Sequence, residues 1–583
     1  HIAILVQLPD SAQQYNKSTA MAPFATETNN TESSKATPTL SEKTQTYVNH
    51  WSQYIRGGFP TLPIAVESAD GHIITDVDGK HYIDFIGQFA VMNFGYSNPK
   101  IAKAAIDQAV KLPLTGTYHI SPLYTEFAKR VTKKFGFDSI VTMLSGSEAV
   151  ESAVKSARKW AYKHKGIPQD KAHVLTVDQC YHGLTLSTMP MATIAADHFG
   201  QHLPNVGPYA PTSGKLVPFG DIEALKECFE QDGHNLAAFI VEPVQGWAGT
   251  VVPPPGYLKA AQELCRKHNV LMVCDEIQAG YGRTGKDLSF QHEPELQPDM
   301  VIMGKAVTGG YYPMSVVMGK KRVMDLIQKN EILSTFGASP IACAAALASL
   351  DVLEEEKISE RSERLGEVLR KTVKSLDPPH MKELRGPGLF QSLVLDCAVS
   401  GVTPRRVSAL AMHRGVLVGI GADRLRFSPP LTISEEDLVK AVEIVVQALK
   451  DVTTMGDFPG ISNMSDIIKE VNGTIVTNTD IEPPANWTND YEEIGGDMRW
   501  GEYGDVAQLV QGYALDGTVQ PLFGMKSYTG EAMSLFELSG NHYLYNAIEG
   551  SIYQIRQPED LETIVSVIGD ENQGLSGLDI EAL

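Results

Sequence analysis

The chain has 583 residues, of which 43% are hydrophobic and 20% charged, and its formal net charge is −21. This length exceeds what a single hydrophobic core supports, so we expect two or more domains. The six cysteines show neither C-x-x-C pairing nor regular spacing, which disfavours a disulfide framework or a structural metal site and favours a reducing, cytoplasmic location. No apolar run approaches the roughly 20 residues that a membrane span requires.

The acidic excess is concentrated at the C-terminal end. Residues 455–583 carry 22 Asp and Glu against four Lys and Arg, a net charge of −18, so that residues 1–454 sum to only −3. Neither part has the basic surface that is typical of a nucleic-acid-binding protein. The charge therefore belongs to an appendage and not to the main body of the protein.

The first 45 residues are rich in Ser, Thr, Asn and Gln without sustained periodicity, and we expect residues 1–45 to be disordered. Asp78-Gly79 lies between two strand-like runs, which is a hairpin signal. The strand-like runs of this region are Ile64–Glu67, Ile73–Asp76 and Tyr82–Ile86.

Helical patterns follow this meander. Amphipathic helices are predicted at Pro99–Lys111 and Leu123–Lys134, and an Ala-rich helix at Ala149–His164. The small residues Ser145-Gly146-Ser147 join an apolar strand to the start of the last helix. Backbone N–H groups at such a start suit a phosphate, although an ordinary N-cap serine explains the same pattern.

Three short apolar runs form the centre of the chain. One lies around Phe239, and the others are Val270–Cys274 and Met300–Met303. Runs this short and this apolar are typical of buried parallel strands. Asp275 lies at the carboxyl end of the second run, and Lys305 lies at the carboxyl end of the third. Ligands bind at these strand ends in parallel α/β sheets.

An amine and a carboxylate at neighbouring strand ends suit one chemistry. Lys305 is able to form a Schiff base with an aldehyde cofactor, while Asp275 keeps a pyridine nitrogen protonated so that the ring withdraws electrons. A solvated salt bridge between the same two side chains is the alternative.

Three motifs within this region resemble those of a known family. They are Glu242-Pro243, Asp275-Glu276-Ile277-Gln278 and Gly304-Lys305-Ala306. The pattern resembles the class III, ornithine/4-aminobutyrate-type aminotransferases, which use pyridoxal 5′-phosphate and have fold type I. The resemblance extends with interruptions from about residue 59 to about residue 433.

The resemblance implies an α/β fold with two domains. A large, mostly parallel-sheet cofactor domain is expected at residues 100–344, and a small α+β domain at residues 46–99 and 345–454. Residues 455–583 match no family pattern, and we predict an acidic accessory α+β domain there. Its expected elements are strands at Gly473–Val476, Tyr543–Ile548 and Ser551–Ile555 and a helix at Glu559–Ile568.

The resemblance also implies roles for individual residues. Lys305 is expected to hold the cofactor and to act as general base and acid, and Asp275 to protonate the pyridine nitrogen. Tyr181 would stack on the ring, and Gln278 would bind its phenolic oxygen. The other implied cofactor contacts are Ser145, Gly146, Ser147, His182, Glu242 and the partner subunit's Thr335. That last contact implies a homodimer with a shared active site.

The implied substrate residues point away from ornithine. Arg426 matches the carboxylate-binding arginine of the family, with Arg424 as the nearby alternative. Ornithine-using relatives have Glu at position 247, Arg at 184 and Tyr at 59 and 89; this chain has Trp247, Leu184, Phe59 and Phe89. We therefore predict transfer from an apolar or bulky amine or amino acid to a 2-oxo acid, in specialised metabolism.

Other functions stay open at this point. Gln88 resembles the residue that orients the scissile carboxylate in dialkylglycine decarboxylases, although a pocket-lining amide is the simpler interpretation. Decarboxylating transamination and racemisation are therefore alternatives. A further one is an inactive homologue whose acidic domain acts as a binding module. That domain would dock a basic partner protein, cover the active site, or supply a solubilising surface.

Overall fold

The computed structural model describes residues 40–55, 57–58, 62–192 and 205–454, and the backbone of five strands between 519 and 582. Helix α1 (Glu42–Tyr54) begins after Ser41, whose side chain accepts a hydrogen bond from the Thr44 amide. The Ser41 and Thr44 hydroxyls both donate to Asp78 Oδ2, over 2.6 and 2.7 Å. The expectation of disorder as far as residue 45 is therefore wrong at its end, because this cap ties the helix to the body. Residues 1–39 lie outside the described residues.

The predicted hairpin forms the centre of a small sheet. The strands are β1 (Val66–Asp70), β2 (Ile73–Asp76) and β3 (His81–Asp84). Strands β2 and β3 pair antiparallel, with Ile73 opposite Ile83. The Asp76 carboxylate accepts hydrogen bonds from the amides of residues 78 and 80, which closes the Asp-Gly turn. A later strand, Val416–Leu417, adds to β3 in parallel.

Helices flank the next sheet, and four of the five begin at a side-chain cap, while the fifth begins after Gly256. The N-cap side chains of Asn98, Ser121, Ser145 and Asp221 accept hydrogen bonds from first-turn amides. The helices are α2 (Pro99–Lys111), α3 (Pro122–Phe135), α4 (Gly146–Trp160), α5 (Ile222–Asp232) and α6 (Tyr257–Lys267). The predicted helix at 149–164 ends in a π-helical turn, Ala161–Lys165.

The described strands of the large sheet are β4 (Ser139–Met143), β5 (His173–Leu175), β6 (Val206–Gly207), β7 (Leu236–Val241), β8 (Leu271–Asp275), β9 (Met300–Met303) and β10 (Ser315–Gly319). These seven strands lie side by side in the order β4-β10-β9-β8-β7-β5-β6. Strand β10 is antiparallel to both of its neighbours, and β9, β8, β7, β5 and β6 are parallel. Every residue of β7, β8 and β9 is buried, which confirms the parallel-strand prediction.

The C-terminal part of the aminotransferase-like region combines helices with a second small sheet. Two long helices, α7 (Pro340–Glu355) and α8 (Ile358–Leu376), lead into it. Its sheet has the order β11-β12-β15-β14. The remaining elements are β11 (Met381–Arg385), β12 (Gln391–Leu395), α9 (Pro404–His413), β13 (Val416–Leu417), β14 (Gly419–Ile420), β15 (Arg424–Phe427) and α10 (Glu435–Asp451). The domain limits given above stay a prediction.

The described backbone beyond residue 518 forms a meander of five strands in sequence order. The strands are β16 (Val519–Lys526), β17 (Ala532–Leu538), β18 (Asn541–Asn546), β19 (Ser551–Ile555) and β20 (Glu581–Ala582). Strands β18 and β19 overlap two of the predicted strand runs and pair antiparallel, with His542 opposite Ile555. The strand expected at 473–476 and the helix expected at 559–568 lie outside the described residues. The acidic accessory domain stays a prediction.

Membrane spans and metal clusters are both missing from the part of the chain that the structure describes. No helix there is long and apolar enough to span a bilayer. Within the same ranges, no three His, Cys, Asp or Glu side chains are grouped as a metal site would require.

Candidate active site

Lys305 and Asp275 lie at the carboxyl ends of two adjacent parallel strands. Asp275 ends β8 opposite Ile302 of β9, and Lys305 follows the end of β9 with a φ of 46°. Burial lowers the pKa of the Lys305 amine, the nearby carboxylates of Asp275 and Glu242 oppose the shift, and the charge of Arg426 adds to it. A larger share of the amine is therefore neutral, and nucleophilic, than in an exposed lysine.

A histidine fixes the orientation of Asp275. His182 Nδ1 lies 2.7 Å from Asp275 Oδ2, and because a carboxylate only accepts, the imidazole donates. The other oxygen accepts from the Ile277 amide at 3.0 Å. The neighbouring Glu276 is used differently, since its carboxylate accepts from the amides of Ser289 and Phe290 at 2.7 Å each. Of this acidic pair, Asp275 belongs to the candidate site and Glu276 anchors a loop.

The start of α4 has backbone donors that the capping residues do not use. Ser145 and Glu148 form a capping box, in which Ser145 Oγ accepts from the Glu148 amide and Glu148 Oε2 accepts from the Ser145 amide. The first-turn amides of Gly146 and Ser147 have no partner within the helix. A Cβ on Gly183 would overlap Ser147 Oγ, so the turn after His182 packs directly on this helix start. The arrangement fits an anionic phosphate.

Glu242 joins the turn that contains Tyr181 to the turn that contains Trp247. One of its carboxylate oxygens accepts from the Tyr181 amide and the other from the Gly246 amide, both at 2.9 Å. The rings of Tyr181 and Trp247 stack with centroids 5.3 Å apart and planes 24° apart. The predicted cofactor-facing aromatic and the predicted substrate-facing aromatic therefore form one continuous surface.

Two arginines from the small sheet hold the turn that follows Trp247. Arg385 donates to the carbonyl oxygens of Ala248, at 3.2 Å, and of the next residue, at 2.9 Å. Arg424 also donates to the Ala248 carbonyl oxygen and forms an ion pair with Asp423. Since Arg424 is engaged in this way, Arg426 is the better candidate for binding a substrate carboxylate.

Arg426 is a buried cation that forms no ion pair within 4 Å in the described part of the chain. It lies on β15 with 5% of its surface exposed, and its guanidinium is 5.8 Å from the centroid of the Phe89 ring. Burial lowers its pKa to about 10, and the Glu242 carboxylate opposes the shift, so Arg426 stays charged at neutral pH. A buried unpaired charge is costly, and a substrate carboxylate would compensate it.

Gln278 contacts the turn that contains Gln88, and the sequence did not reveal this turn. Gln278 Nε2 donates to the Phe89 carbonyl oxygen at 3.1 Å, and a Cβ on Gly246 would overlap the other side of the Gln278 amide. Gln88 and Phe89 have φ values of 49° and 56°, in the left-handed region. Gly87 is the single residue in this stretch whose type suggests such a backbone.

Two predicted residues, Leu184 and Thr335, are not joined to the rest, and a third, Phe59, lies outside the described residues. Leu184 is 54% exposed, and Thr335 is exposed beside Gly116, where an added Cβ would lie 3.4 Å from the Thr335 carbonyl oxygen. The shared-site interpretation of Thr335 therefore stays a prediction.

Comparisons with known proteins agree with this architecture. The family model for aminotransferase class-III matches residues 54–449. Ornithine aminotransferase of Emericella nidulans is 38% identical over 432 residues, covering 73% of this chain and 95% of the relative. The mitochondrial ornithine aminotransferase of Arabidopsis thaliana is 40% identical over 436 residues, covering 73% and 88% of the two chains.

A solved structure gives the same result. The ornithine aminotransferase of Toxoplasma gondii, in a structure with partial occupancy of pyridoxal phosphate at its active site, has a TM-score of 0.66 at 34% identity. The match covers 70% of this chain and 95% of that chain. Because a family model spans residues 54–449 and the two relatives are 38% and 40% identical, the fold, the reaction and the cofactor are shared. The chain therefore belongs to the class III aminotransferases and is a pyridoxal phosphate-dependent transaminase.

Proposed function

We propose that the enzyme transfers an amino group from an apolar or bulky amine or amino acid to a 2-oxo acid. The observation that carries the proposal is Arg426, a buried cation that forms no ion pair within 4 Å in the described residues, in a chain where position 247 is Trp. In ornithine-using relatives the corresponding Glu masks this arginine, so its loss leaves Arg426 available to an α-carboxylate. Ornithine is the second candidate donor, since the relatives at 38–40% identity are named ornithine aminotransferases.

The described residues fit pyridoxal phosphate, and we assign them roles toward it. Lys305 would hold the cofactor aldehyde, the amides of Gly146 and Ser147 its phosphate, and Tyr181 the face of its ring. Gln278 would donate to the phenolic oxygen. When bound, the cofactor supplies a ring that draws electrons from the substrate's α-carbon.

The proton transfers would belong to Lys305 and Asp275. Lys305 Nζ, freed by the incoming substrate amine, would take the proton from the α-carbon and return one during product formation. Asp275 would hold a proton on the ring nitrogen, and His182, which donates to Oδ2 at 2.7 Å, would hold the carboxylate in place. The lowered pKa of Lys305, caused by burial, favours the basic form that the first transfer requires.

Substrate selection would depend on the surfaces around Arg426. Its guanidinium would bind the α-carboxylate, while the rings of Phe89 and Trp247 offer apolar contact to a side chain. A second ammonium, as in ornithine, would lie against these rings without a carboxylate at position 247. Burial of an unpaired charge costs several kcal/mol, which favours an apolar side chain.

The test is a donor screen on the purified enzyme. Apolar amino acids and bulky amines should have a higher kcat/KM than ornithine or 4-aminobutyrate, with pyruvate, 2-oxoglutarate or glyoxylate as acceptor. A preference for ornithine would refute the apolar-donor proposal in favour of the second candidate. Release of carbon dioxide from 2-aminoisobutyrate would instead identify a decarboxylating transaminase, with Gln88 orienting the carboxylate.

We also propose a homodimer in which Thr335 completes the partner's phosphate site. Its neighbours Leu333 and Phe336 are about half exposed, and Leu184 and Leu186, which follow His182, are 54% and 69% exposed. Exposed apolar side chains of this kind are typical of surfaces that a second subunit covers. An acidic C-terminal domain that docks a basic protein remains a separate prediction.

Hybrid dimers test this sharing directly. Lys305→Ala and Thr335→Ala subunits are denatured together, refolded and assayed at limiting pyridoxal phosphate. If Thr335 acts across the interface, each heterodimer regains one intact site, and a random mixture recovers about a quarter of wild-type activity. Lys305→Ala mixed with itself is the control. Mixtures no more active than the average of the two parents would place Thr335 in its own subunit's site.

A further inference from the structure

Four consecutive residues beside the candidate site are left-handed. Gly87, Gln88, Phe89 and Ala90 have φ values of 56°, 49°, 56° and 69°. Residues with a Cβ avoid this region, and a run of three of them persists only where the surroundings enforce it. Such strain concentrates at functional sites, and two sets of buried groups hold this turn.

The fully buried carboxylate of Asp84 holds the start of the turn. Its Oδ1 accepts from the Ile86 amide at 2.8 Å, and both of its oxygens lie 3.1 Å from the Gly87 nitrogen. Oδ2 also accepts from the Tyr96 hydroxyl at 2.9 Å. Asp84 thus accepts hydrogen bonds from the amides at the start of the turn and from the Tyr96 hydroxyl, so that these donors are all paired.

A buried arginine holds a segment that packs against the same turn. Arg283 donates to the Asn93 side chain and, at 2.7 Å, to the carbonyl oxygen of Pro429, whose backbone packs against Gly87. Burial raises the pKa of the Asp84 carboxyl, and the amides of Ile86 and Gly87, the Tyr96 hydroxyl and the charge of Arg283 oppose that shift. Ser428, next to Pro429, donates through its hydroxyl to the Ile86 carbonyl oxygen at 2.8 Å. The turn is therefore held by the buried Asp84 carboxylate and by the Ser428-Pro429 segment.

The direction of these hydrogen bonds determines the orientation of Gln88. The Tyr96 hydroxyl has one proton, which it gives to the carboxylate of Asp84. It must therefore accept from Gln88, and Gln88 Nε2 lies 3.2 Å away. Gln88 Oε1 can then accept a further hydrogen bond, and the second N–H of the amide can donate one. The amide cannot reverse without losing its bond to Tyr96.

We propose that Asp84 and Tyr96 are positioning residues that fix the Gln88 amide and the left-handed turn, and thereby set the enzyme's preference among amino donors without touching them. The inference rests on the proposed function in one respect, the contact of Gln88 and Phe89 with the donor. Phe89 shares the turn and is connected to Arg426 by its ring and to Gln278 by its carbonyl oxygen. A shift of the turn would thus move Gln88 and Phe89 and change the contacts of Phe89 with Arg426 and Gln278.

A double-mutant cycle tests the proposal. Tyr96→Phe removes only the hydroxyl, and we expect kcat/KM for the preferred donor to fall about fivefold or more, with pyridoxal phosphate content and Tm unchanged. In a Gln88→Ala background the same change should have no further effect. Tyr82→Phe is the matched control, because its hydroxyl also donates to a buried carboxylate, Asp76, at 2.7 Å. It should leave the donor profile as in the wild type.

Two results would overturn the proposal. One is Tyr96→Phe kinetics equal to wild type, and the other is an equal loss in the Gln88→Ala background, which would show that Tyr96 does not act through Gln88. Asp84→Asn should give a larger loss than Tyr96→Phe, but the cycle does not depend on that variant folding. The cycle uses whichever donor the wild-type enzyme prefers, so its outcome is separate from the apolar-donor proposal.

Discussion

Replacing Lys305 by Ala is expected to reduce kcat by about 10⁴-fold, the upper range for loss of a proton-transferring residue. The variant loses both the amine that holds the cofactor and the base that acts at the α-carbon. Other residues do not replace it, because Lys305 sits at a fixed strand end beside Asp275. Steady-state rates with the preferred donor measure the loss, and added methylamine should restore part of it.

The control for this variant is Lys103→Ala. Lys103 lies on α2 with 75% of its side chain exposed, in a surface ion pair with Asp107. Exposed pairs of this kind contribute at most about 1 kcal/mol, so activity and stability should stay close to wild type. A Lys305→Ala enzyme that kept about a tenth of wild-type turnover would contradict the assignment of the base.

Replacing Arg426 by Leu is expected to lower kcat/KM for α-amino acids by about 10² to 10³-fold, since a buried charge-assisted pair with the carboxylate is lost. Amines that lack a carboxylate should be affected far less. The ratio of the two substrate classes, measured on one enzyme preparation, separates lost recognition from lost folding. Fluorescence or calorimetric Tm should remain near wild type, since Leu fills the buried site without an unpaired charge.

Arg364→Leu provides the matched control. Arg364 is exposed and pairs with Glu435 on the surface. It should alter neither substrate class. If Arg426→Leu reduced amino acids and carboxylate-free amines equally, Arg426 would be supporting the fold of the site and not binding the carboxylate.

The strands that carry the chemistry were predictable because their environment restricts their composition. A strand buried on both faces requires a continuous apolar run, and Met300–Met303 is one, with the same limits in the structure. Strand β8 is also predicted by an apolar run, although the predicted limits lie one residue too early at both ends. Parallel neighbours bring their carboxyl ends together, so the order of these runs along the chain is enough to predict that Asp275 lies beside Lys305.

The left-handed turn could not be predicted, because its cause is tertiary. Gln88, Phe89 and Ala90 have no intrinsic preference for positive φ, and they adopt it where Asp84 binds the start of the turn and the segment held by Arg283 packs against it. Arg283 itself lies in a Gly-rich loop, where sequence alone suggests an exposed residue. It is fully buried instead, because its guanidinium finds carbonyl and amide oxygens from three segments.

At Trp247 the residue type alone predicted a function, but the sequence did not predict which residues contact it. The exchange of a carboxylate for an indole predicted an altered donor pocket. Its stacking on Tyr181, and the hold of Arg385 and Arg424 on the following turn, emerge only from the fold. Its effect on donor choice therefore depends on contacts made by two separate parts of the chain.

Attachment of the cofactor to a single side chain is the claim on which the proposed chemistry depends. Borohydride reduction of the pyridoxal phosphate-loaded enzyme, followed by peptide mass spectrometry, should place the reduced cofactor on the peptide containing Lys305. The unreduced enzyme should absorb in the visible range, and the Lys305→Ala variant should yield no such peptide. Recovery of the reduced cofactor on another lysine, or on none, would contradict the assignment.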